Sequence, residues 1–487
     1  MPLIVKTLVE TLTLHAMADA LGGRWTGERS ATAQAIGTDS RAVAPGMLFV
    51  ALRGERFDGH RYALRAIEAG AVAVLVDHDL REEHPALADR QLIVPDTRLA
   101  LGLLAGVTRD RWQGTLIALT GNSGKTTVKE MLLTILKEAV GEAAVMATQG
   151  NFNNDIGAPL TLLRLSEAHR YAVIELGANH IGEIAWTASW ARPDVSLITN
   201  VTGAHIGEFG GMGMIAQAKS EIISATAPAG RTILPAGDRY TPFWRALASR
   251  QCDAPSELFG LNYVEGWHAR ACTLSHKGTS FTLCQGDSAL GAVTLNLLGQ
   301  HNVVNALAAA AAAHAAGIDN AAIVRGLNGC GACAQRMMPI RGVRGTTLLD
   351  DSYNANPGAM KAALDTLLVL PGPHWCFMGA MGELGAASDA LHAEVGRYAR
   401  ARGIALVTFG EAARAAGGHH FDDWSALVAY AHQTLPEAAS VLIKGSHAAH
   451  MERLVAALRA DGPSADSPLA DGSLADGPSA DGPSADR

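Results

Sequence analysis

The stretch TGNSGKTT, residues 120–127, combines glycines with a lysine and hydroxyl side chains. It follows the apolar run TLIAL and precedes a helical pattern, an arrangement in which backbone N–H groups and a helix N-terminus bind phosphate. Lys125 can then reach the β- and γ-phosphates of a nucleotide, and Thr126 can bind Mg²⁺. The usual pattern has an earlier glycine where this chain has Leu119, so the loop is shorter. A Gly-rich turn is the alternative, but G-K-T-T after a buried strand favours nucleotide binding. The predicted nucleotide-binding residues are Gly121, Asn122, Ser123, Gly124, Lys125, Thr126 and Thr127.

Three further polar residues lie near predicted strand ends or on a helix. Glu175 ends the apolar run YAVIE, where a carboxylate beside a phosphate-binding strand can bind Mg²⁺ in an open α/β sheet. His205 follows the run LITNV, and a single histidine there is either structural or functional. Lys219, in the helical segment IAQAKSEIISA, by itself indicates only a surface lysine.

A group of asparagines precedes an apolar helix in the segment TQGNFNNDIGAPLTLL, residues 148–163. Asparagine near glycine commonly forms turns and caps helices, and taken alone this segment favours that interpretation. Ligand binding is the alternative. The residues concerned are Asn151, Asn153 and Asn154.

The elements around these residues indicate an α/β protein. Up to about residue 110, the runs MLFVAL and AVAVLV flank the helical RYALRAIEAG, which predicts a small α/β domain. From Thr115 onward, strand, loop and helix repeat, which indicates a parallel sheet. The runs HARACTLSH, GTSFTLCQ and GAVTLNLLG alternate like antiparallel strands and suggest an added layer within this domain.

An Ala-rich helix stops at Gly317, where we place the second domain boundary. A third α/β unit follows, in which TTLLDD, HWCFM, ALVTF and SVLIK are strands that end in polar or Gly-containing loops. The tail DGPSADSPLADGSLADGPSADGPSADR has almost nothing to bury, so we expect it to be disordered and dispensable for activity. The predicted domains are 1–110, 111–317, 318–460 and the tail 461–487.

Composition narrows the class of protein. The 487 residues carry a net charge of -8 without a basic block, which does not favour nucleic-acid binding. Among the six cysteines, Cys330 and Cys333 form a C-x-x-C pair without a second pair, so we expect reduced thiols rather than a zinc or redox site. No signal peptide or membrane-length apolar run is evident, so we expect a cytoplasmic enzyme, taken to be a monomer, without a membrane partner.

Several motifs occur in one order: G-N-S-G-K-T-T-V-K-E, G-N-x-N-N-x-I-G-x-P, E-L-G-A-N-H-x-G-E-I, T-N-V-x-x-A-H, A-K-S-E-I, G-x-H-N-x-x-N-A, R-M, D-D-S-Y-N-A-N-P and K-G-S. This order resembles the Mur ligases, ATP-dependent enzymes that form amide bonds in peptidoglycan synthesis. The family has the same shortened phosphate loop. The resemblance covers roughly residues 30 to 455 and implies three domains, with a central P-loop parallel-sheet ATPase domain between a small N-terminal α/β domain and a C-terminal Rossmann-like α/β domain.

Within that family, TDSRAVAPGMLFVAL, the doublet Asn153-Asn154 and above all DSYNANP look like the members that add D-alanyl-D-alanine to UDP-N-acetylmuramoyl-tripeptide. These two molecules are therefore the substrates that the resemblance implies. Another Mur ligase, a folylpolyglutamate-synthase-like ligase and a nucleotide-binding regulator without catalysis are the alternatives. The sequence does not tell whether the tripeptide ends in lysine or meso-diaminopimelate.

The resemblance also implies roles for the residues of the central domain. Lys125 and Thr126 would hold ATP and Mg²⁺, and Glu175 and His205 would serve two metal sites. Lys219 would be carbamylated, which turns a cation into an anionic oxygen ligand for a second Mg²⁺ and requires a neutral amine. Lys125, His205 and Lys219 are the implied catalytic residues.

Three family positions that contact the nucleotide correspond to Asn302, Arg336 and Asp351. Taken singly, these residues are a helix cap, a surface cation and a turn carboxylate. Two positions depart from the family pattern. Ala380 stands where Asp is frequent, and His447 follows K-G-S where Arg is common, so local contacts of the third domain could differ from those of the family.

The remaining implied residues bind the two substrates to be joined. Ser40 and Arg41 match the part of the N-terminal domain that receives UDP, and the arginine fork suits a pyrophosphate. Asn354 and Asn356 match the segment associated with the incoming dipeptide. Lys444, in a loop after SVLI, would help to bind the dipeptide or close the site.

Overall fold

The computed structural model describes residues 12–54, 57–202, 209–275, 278–331 and 337–460. They form two compact units. The first comprises Met1–Cys333, Asn356–Val369 and Glu383–Ser388, and the second comprises Ala334–Ala355, Leu370–Gly382 and Asp389–Arg487. Three predictions, for His205, Arg336 and the tail 461–487, lie outside the described residues.

The N-terminal part of the first unit has its own sheet. Its strands are β1 (Arg24–Trp25), β2 (Ala35–Gly37), β3 (Met47–Val50), β4 (Arg53–Gly54), β5 (Phe57–Asp58), β6 (Ala73–Val76) and β7 (Gln91–Ile93). Five of them form a sheet in the order β1-β7-β6-β3-β2, in which only the β1–β7 pair is antiparallel, while β4 and β5 pair separately. The helices are α1 (Leu14–Ala20), α2 (Ala63–Glu68) and α3 (Thr97–Arg111). The strands predicted from MLFVAL and AVAVLV are confirmed, and so is the helix between them.

A nine-stranded sheet forms the centre of the first unit. Its strands are β8 (Thr115–Thr120), β9 (Val145–Ala147), β10 (Tyr171–Glu175), β11 (Val195–Ile198), β12 (Arg231–Pro235), β13 (Glu257–Phe259), β14 (Trp267–Ser275), β15 (Gly278–Gln285) and β16 (Ser288–Leu295). Their order is β16-β15-β14-β13-β12-β11-β8-β10-β9. The strands β8 to β13 pair in parallel and are almost entirely buried, because helices cover both faces of such a sheet. The antiparallel pairing of β14, β15 and β16 is confirmed, but these strands extend the central sheet rather than form a separate layer.

Helices cover the central sheet. They are α4 (Lys125–Val140), α5 (Gly157–Leu162), α6 (Glu183–Ala191), α7 (Met212–Ser224), α8 (Thr241–Gln251), α9 (Gln300–Ala315) and α10 (Asn320–Asn328). A further helix of the first unit is α11 (Pro357–Leu367). On α4 the buried residues Val128, Leu132 and Ile135 recur at helical spacing and face the sheet core. The backbone of Ile135 lies so close to Gly326 that a Cβ on α10 would overlap it. The first unit therefore continues past the boundary predicted at residue 317.

The second unit contains a six-stranded sheet. Its strands are β17 (Met338–Arg341), β18 (Thr347–Asp351), β19 (His374–Met378), β20 (Ala405–Phe409), β21 (His419–Phe421) and β22 (Ser440–Lys444). The order is β17-β18-β22-β19-β20-β21, with all pairs parallel except β17 with β18. The helices α12 (Ser388–Arg400), α13 (Trp424–Thr434) and α14 (Glu452–Leu458) complete it. The four strands predicted for this part of the chain are confirmed.

Two sequence expectations concern thiols and membranes. The described cysteines, Cys252, Cys272, Cys284, Cys330 and Cys376, are all free thiols, and Cys333 lies outside the described residues. Complete burial raises the pKa of Cys376 to about 12, which leaves this thiol unreactive. Among the described helices, none combines the length and the apolar character that crossing a membrane requires.

Candidate active site

The phosphate loop joins β8 to α4 through residues 121–124. Gly121 has a φ of +143°, and a Cβ there would overlap the hydroxyl of Thr199. Gly124 has a φ of +81°, and a Cβ there would lie 2.5 Å from Asn305 Oδ1. Both positions therefore require glycine, because other residues rarely adopt these angles and have no room here. The loop leads directly into the N-terminus of α4, whose first N–H groups can bind an anion.

Residues after β11 hold this loop in place. Asn200 Oδ1 accepts a hydrogen bond from the Ser123 N–H, and Asn200 Nδ2 donates to the Ser123 carbonyl, both at 3.0 Å. The hydroxyl of Thr199 donates to the same carbonyl at 2.7 Å. Because β11 and β8 are parallel neighbours, their carboxyl ends lie at one edge of the sheet. Sequence reasoning considered this segment only for His205, and the signal that it missed was a polar Thr-Asn pair directly after a buried strand.

Lys125 and Asn356 also contact the loop. Lys125 Nζ donates to the Gly121 carbonyl at 2.8 Å, so the lysine folds back across the loop. Asn356 Nδ2 donates to the Ser123 hydroxyl at 2.9 Å, while its Oδ1 caps α11 by accepting from the Ala359 N–H. The resemblance assigns Asn356 to the dipeptide, whereas here its side chain connects the start of α11 to the phosphate loop.

Glu175 lies beside the loop, at the end of β10 and opposite Leu119 of β8. Its carboxylate is buried, with Oε2 3.2 Å from the Thr126 hydroxyl and Oε1 2.9 Å from Asn153 Nδ2. Within the described residues, no lysine or arginine forms an ion pair with it. A buried carboxylate without a cationic partner, next to a hydroxyl oxygen, offers the hard oxygen ligands that Mg²⁺ prefers. The residues present therefore fit the predicted metal.

Behind Glu175 lies a support that sequence reasoning did not single out. The Thr148 hydroxyl accepts a hydrogen bond from the Glu175 N–H at 2.9 Å. The Thr148 carbonyl in turn accepts from the ammonium of Lys129 at 2.9 Å. Lys129 is buried on α4, and its ammonium also lies 3.0 Å from a carboxylate oxygen of Glu130. The signal in the sequence was the lysine of V-K-E, four residues after Lys125 and hence on the same side of the helix.

Lys219 is buried on α7, so the interpretation of an isolated surface lysine is wrong. Its ammonium lies 3.4 Å from the Ala178 carbonyl and 5.4 Å from the centre of the Phe209 ring. Burial, reinforced by the positive charge of Lys125, lowers the pKa of Lys219 to about 7, although Glu183 and Glu221 act in the opposite direction. A substantial fraction of this amine is therefore neutral near pH 7.

The other asparagines of the first unit make local contacts. Asn154 Oδ1 accepts from the Gly157 N–H at the start of α5, as the capping interpretation predicts. Asn151 is exposed, and its carbonyl accepts from the Asn153 N–H. Asn302 is not the cap of α9, because Gly299 occupies that position. Instead Asn302 is buried, donates to the Leu298 carbonyl and accepts from Asn305, whose oxygen lies against Gly124.

The predicted residues of the N-terminal sheet form a separate group. Ser40 and Arg41 lie in a turn after β2. Arg41 donates from Nε and one terminal nitrogen to the two carboxylate oxygens of Asp39, at 3.0 and 2.9 Å. Hydrogen bonds from Arg41 lower the pKa of Asp39 in spite of its partial burial. The fork that we predicted for a pyrophosphate therefore faces Asp39 in this structure.

Three predicted residues come together in the second unit. The ammonium of Lys444 lies 2.6 Å from Asp351 Oδ2 and donates to the Asn354 carbonyl at 2.6 Å. Lys444 is buried, which makes it a support for the D-S-Y-N-A-N-P segment. At the two departures from the family, the Ala380 carbonyl accepts from the Ser446 N–H, and the His447 ring lies against Tyr353.

The structure thus groups the predicted residues in three places. The central sheet edge has the phosphate loop with Asn153, Glu175, Lys219, Asn302 and Asn356. The N-terminal sheet has Ser40 and Arg41, and the second unit has Asp351, Asn354 and Lys444.

Family models match three parts of the chain. They are the Mur ligase family catalytic domain over residues 32–109, the Mur ligase middle domain over residues 119–313 and the Mur ligase glutamate ligase domain over residues 335–447.

Known proteins agree with these matches. The UDP-N-acetylmuramoyl-tripeptide--D-alanyl-D-alanine ligase of Escherichia coli is 42% identical over 462 residues, which cover 93% of this chain and 99% of the relative. A crystal structure of MurF from Acinetobacter baumannii superposes with a TM-score of 0.84 at 37% identity and covers 91% of this chain and 98% of that one. The MurF ligase of Thermotoga maritima, solved in complex with ADP, has a TM-score of 0.77 at 27% identity, with 86% and 96% of the two chains covered. By sequence and by three-domain fold, this chain belongs to the Mur ligase family.

Proposed function

We propose that this chain joins D-alanyl-D-alanine to the terminal carboxylate of UDP-N-acetylmuramoyl-tripeptide at the expense of ATP. The products are UDP-N-acetylmuramoyl-pentapeptide, ADP and inorganic phosphate. One observation carries the proposal: the Escherichia coli ligase named for this reaction is 42% identical over 93% of the chain. The motifs of the phosphate loop, the Glu175 strand end and the D-S-Y-N-A-N-P segment all lie within the matched length.

ATP is required because a carboxylate is a poor electrophile and hydroxide is a poor leaving group. The carboxylate oxygen of the tripeptide attacks the γ-phosphorus of ATP, and the bond to the ADP oxygen breaks, which gives an acyl phosphate. The free amine of the dipeptide then attacks the acyl carbon, loses a proton and expels phosphate. Lys125 and the N–H groups at the start of α4 stabilise the charge that develops on the transferred phosphoryl group.

Thr126 and Glu175 would hold Mg²⁺ beside the phosphates, with His205 as a further ligand that lies outside the described residues. The metal would neutralise phosphate charge when bound. Asn153 holds one oxygen of Glu175 and thereby orients the other toward Thr126. Lys129 and Thr148 fix the strand end from behind.

Lys219 is proposed to carry a carbamate. The neutral amine attacks carbon dioxide, a nitrogen–carbon bond forms, and a proton is released, so that an ammonium becomes an anionic oxygen donor for a second Mg²⁺. A pKa of about 7 supports this reaction, because it supplies the neutral amine at physiological pH. Isotope-labelled bicarbonate should therefore produce a carbamate signal in the NMR spectrum of the full chain, and the signal should be absent from Lys219→Met.

The UDP moiety and the dipeptide are assigned to the residues of the N-terminal sheet and of the second unit, respectively. Ser40 and Arg41 would receive the UDP moiety, which requires Arg41 to exchange Asp39 for the pyrophosphate. Asn354 would contact the dipeptide, and Lys444 would hold the backbone of Asn354 in place. Asp351 would contact the ribose. We further propose that the enzyme acts as a monomer in the cytoplasm, where ATP is available.

The decisive experiment measures phosphate release from ATP by the full chain with Mg²⁺ and UDP-N-acetylmuramoyl-tripeptide. D-Alanyl-D-alanine should start turnover, whereas D-alanine, L-alanyl-L-alanine and glutamate should not. Lys125→Ala should lower kcat by on the order of 10²–10³, as the loss of a charge-stabilising donor does. Lys137→Ala, on the exposed face of the same helix, is the matched control and should keep its activity. Turnover with glutamate in place of the dipeptide would indicate another amide ligase, and no turnover with any acceptor would favour a regulator.

A further inference from the structure

A second cluster of possible metal ligands lies in the N-terminal sheet. Asp77 and His78 follow β6 directly, and His60 lies in a short 3-10 helix, Gly59–Tyr62, just after β5. The strands β2, β3 and β6 are parallel, so their carboxyl ends lie at one edge of the sheet. Ser40 and Arg41 follow β2 at the same edge. The cluster therefore occupies the side of an α/β sheet where ligands usually bind.

The ligand atoms of this cluster converge on one point. His60 Nε2 lies 3.2 Å from Asp77 Oδ1, and His78 Nδ1 lies 2.5 Å from the same oxygen. All three atoms lie within 4.8 Å of one another. Tetrahedral zinc with bonds of about 2.0–2.1 Å places its ligand atoms roughly 3.3 Å apart. Small side-chain movements would therefore bring the three atoms into a metal-binding geometry.

The orientation of His60 is set from behind by Asp58. The carboxylate of Asp58 accepts from the His60 backbone N–H at 3.0 Å, and its Oδ1 lies 2.6 Å from His60 Nδ1. If Nδ1 donates its proton to Asp58, then Nε2 keeps a lone pair directed toward Asp77. A carboxylate behind an imidazole is the arrangement by which proteins orient metal-binding histidines.

The contact between His60 Nε2 and Asp77 Oδ1 requires positive charge. Two lone-pair atoms 3.2 Å apart repel each other unless a proton on Nε2 or a metal cation lies between them. The Asp77 backbone N–H donates a hydrogen bond to Nε2 at 3.2 Å, which a metal bound to this nitrogen would replace. Arg53 contributes from the far side, because it contacts the other oxygens, Asp58 Oδ2 at 3.4 Å and Asp77 Oδ2 at 3.5 Å. Asp77 Oδ1 is left to the two histidines.

We propose that His60, Asp77 and His78 form a binding site for a transition-metal dication of the zinc class, separate from the Mg²⁺ site at the phosphate loop. Two imidazole nitrogens and one carboxylate oxygen suit Zn²⁺, Ni²⁺ or Cu²⁺ and do not suit Mg²⁺, which prefers oxygen ligands. The metal joins the segment after β5 to the end of β6. Binding therefore stabilises the edge of the sheet that also carries Ser40 and Arg41.

The test is a Zn²⁺ titration of the metal-stripped full chain in excess Mg²⁺, followed by calorimetry and by the thermal unfolding midpoint. His78→Ala is the main variant, because the side chain of His78 is 45% exposed and its removal leaves the fold intact. It should weaken one Zn²⁺ site at least 10-fold and abolish the matching rise in unfolding midpoint. His84→Ala, in the same domain but outside the cluster, is the matched control and should bind like the parent. Co²⁺ bound to the parent should give visible absorption that His78→Ala lacks.

A second variant tests the geometry in the opposite direction. Arg53→Gln removes the competing positive charge and should tighten the same Zn²⁺ site. The proposal is overturned if parent and His78→Ala bind equal numbers of Zn²⁺ ions with equal affinity, since the cluster would then hold only protons. It is also overturned if the site is lost in His420→Ala instead, because Glu411, His420 and Asp422 form another possible ligand group. Neither result depends on ligase activity.

Discussion

Lys219 in the first unit and Lys444 in the second are equally buried, at 2% exposure each, but their surroundings differ. The ammonium of Lys444 lies 2.6 Å from the carboxylate of Asp351 and 2.6 Å from a backbone carbonyl. The ammonium of Lys219 has a carbonyl at 3.4 Å and an aromatic ring at 5.4 Å, and the positive charge of Lys125 acts on it.

The difference distinguishes a lysine in a buried ion pair from a buried lysine with a lowered pKa. A close carboxylate offsets the cost of burying an ammonium, so that the pair can hold a loop in place. Without such a partner, burial lowers the pKa of the lysine and raises the population of the neutral amine. In the second unit the lysine contacts the D-S-Y-N-A-N-P segment, and in the first unit the lysine has a lowered pKa, which is the basis of the carbamate proposed for it.

The largest expected effect is on catalysis by Lys219→Met. Methionine fills a similar volume but provides no nitrogen for a carbamate. In the phosphate-release assay, kcat should therefore fall by a factor on the order of 10³. Lys129→Met is the contrasting variant, since it removes a buried lysine of the same unit that supports the site only indirectly. Equal activity of Lys219→Met and the parent would contradict the proposed role of this residue.

Replacing Lys444 should act mainly on stability. Lys444→Met leaves the Asp351 carboxylate largely buried without its cation, and we expect a loss of about 3 kcal/mol in the free energy of unfolding. Urea denaturation followed by tryptophan fluorescence measures it. The double variant Lys444→Met with Asp351→Leu should regain part of the loss, because both charges are then gone. If the single variant is as stable as Lys137→Met, a surface control, the pair does not hold the fold.

Lys129→Met should weaken Mg²⁺ binding without unfolding the protein. The Thr148 carbonyl loses its ammonium donor, and the strand end that carries Glu175 becomes less fixed. We expect roughly 10-fold weaker Mg²⁺ affinity, measured by titrating the metal into the complex with ADP. Lys137→Met, two turns further along α4, is the matched control. An unchanged affinity in Lys129→Met would leave this lysine with a packing role only.

The last prediction concerns the pH dependence of stability. In metal-free, bicarbonate-free buffer, the unfolded chain keeps Lys219 protonated up to its ordinary pKa of 10.5, while the folded chain releases the proton near 7. Between these values the unfolded state binds more protons, so the stability of the parent rises with pH relative to Lys219→Met. The variant should therefore unfold at a higher temperature at pH 7, and its advantage should shrink toward pH 10. A constant difference across this range would show that the pKa of Lys219 is not lowered.

Much of the fold follows from local patterns. The runs around Leu116, Val173 and Leu197 are apolar on both faces, which parallel strands covered by helices require, and they form adjacent central strands. The extension of this sheet by β14, β15 and β16 was not predictable, because alternation indicates antiparallel pairing but not which sheet the strands join. The packing of α10 against α4 was likewise missed, since a helix pattern does not say against which element the helix packs.

In the candidate site, too, some residues were predictable from local sequence patterns and others were not. The phosphate-loop and strand-end residues were predicted from residue type and spacing, and the D-S-Y-N-A-N-P residues were predicted from the resemblance to the family. Lys129, Thr148 and Asn200 were missed, because a buried hydrogen bond between distant segments leaves no local pattern.

By itself the sequence determined the kind of chemistry, since glycine angles, a lysine at a helix start and a carboxylate after a strand are local properties. Only the tertiary structure decided which lysines are buried and what each one faces. Lys219 has a lowered pKa because α7 places it in the interior and near the positive charge of Lys125, and Lys444 is paired because β18 and β22 are neighbours. Burial and pairing depend on residues far apart in the chain, and so these properties arise only when the chain is folded.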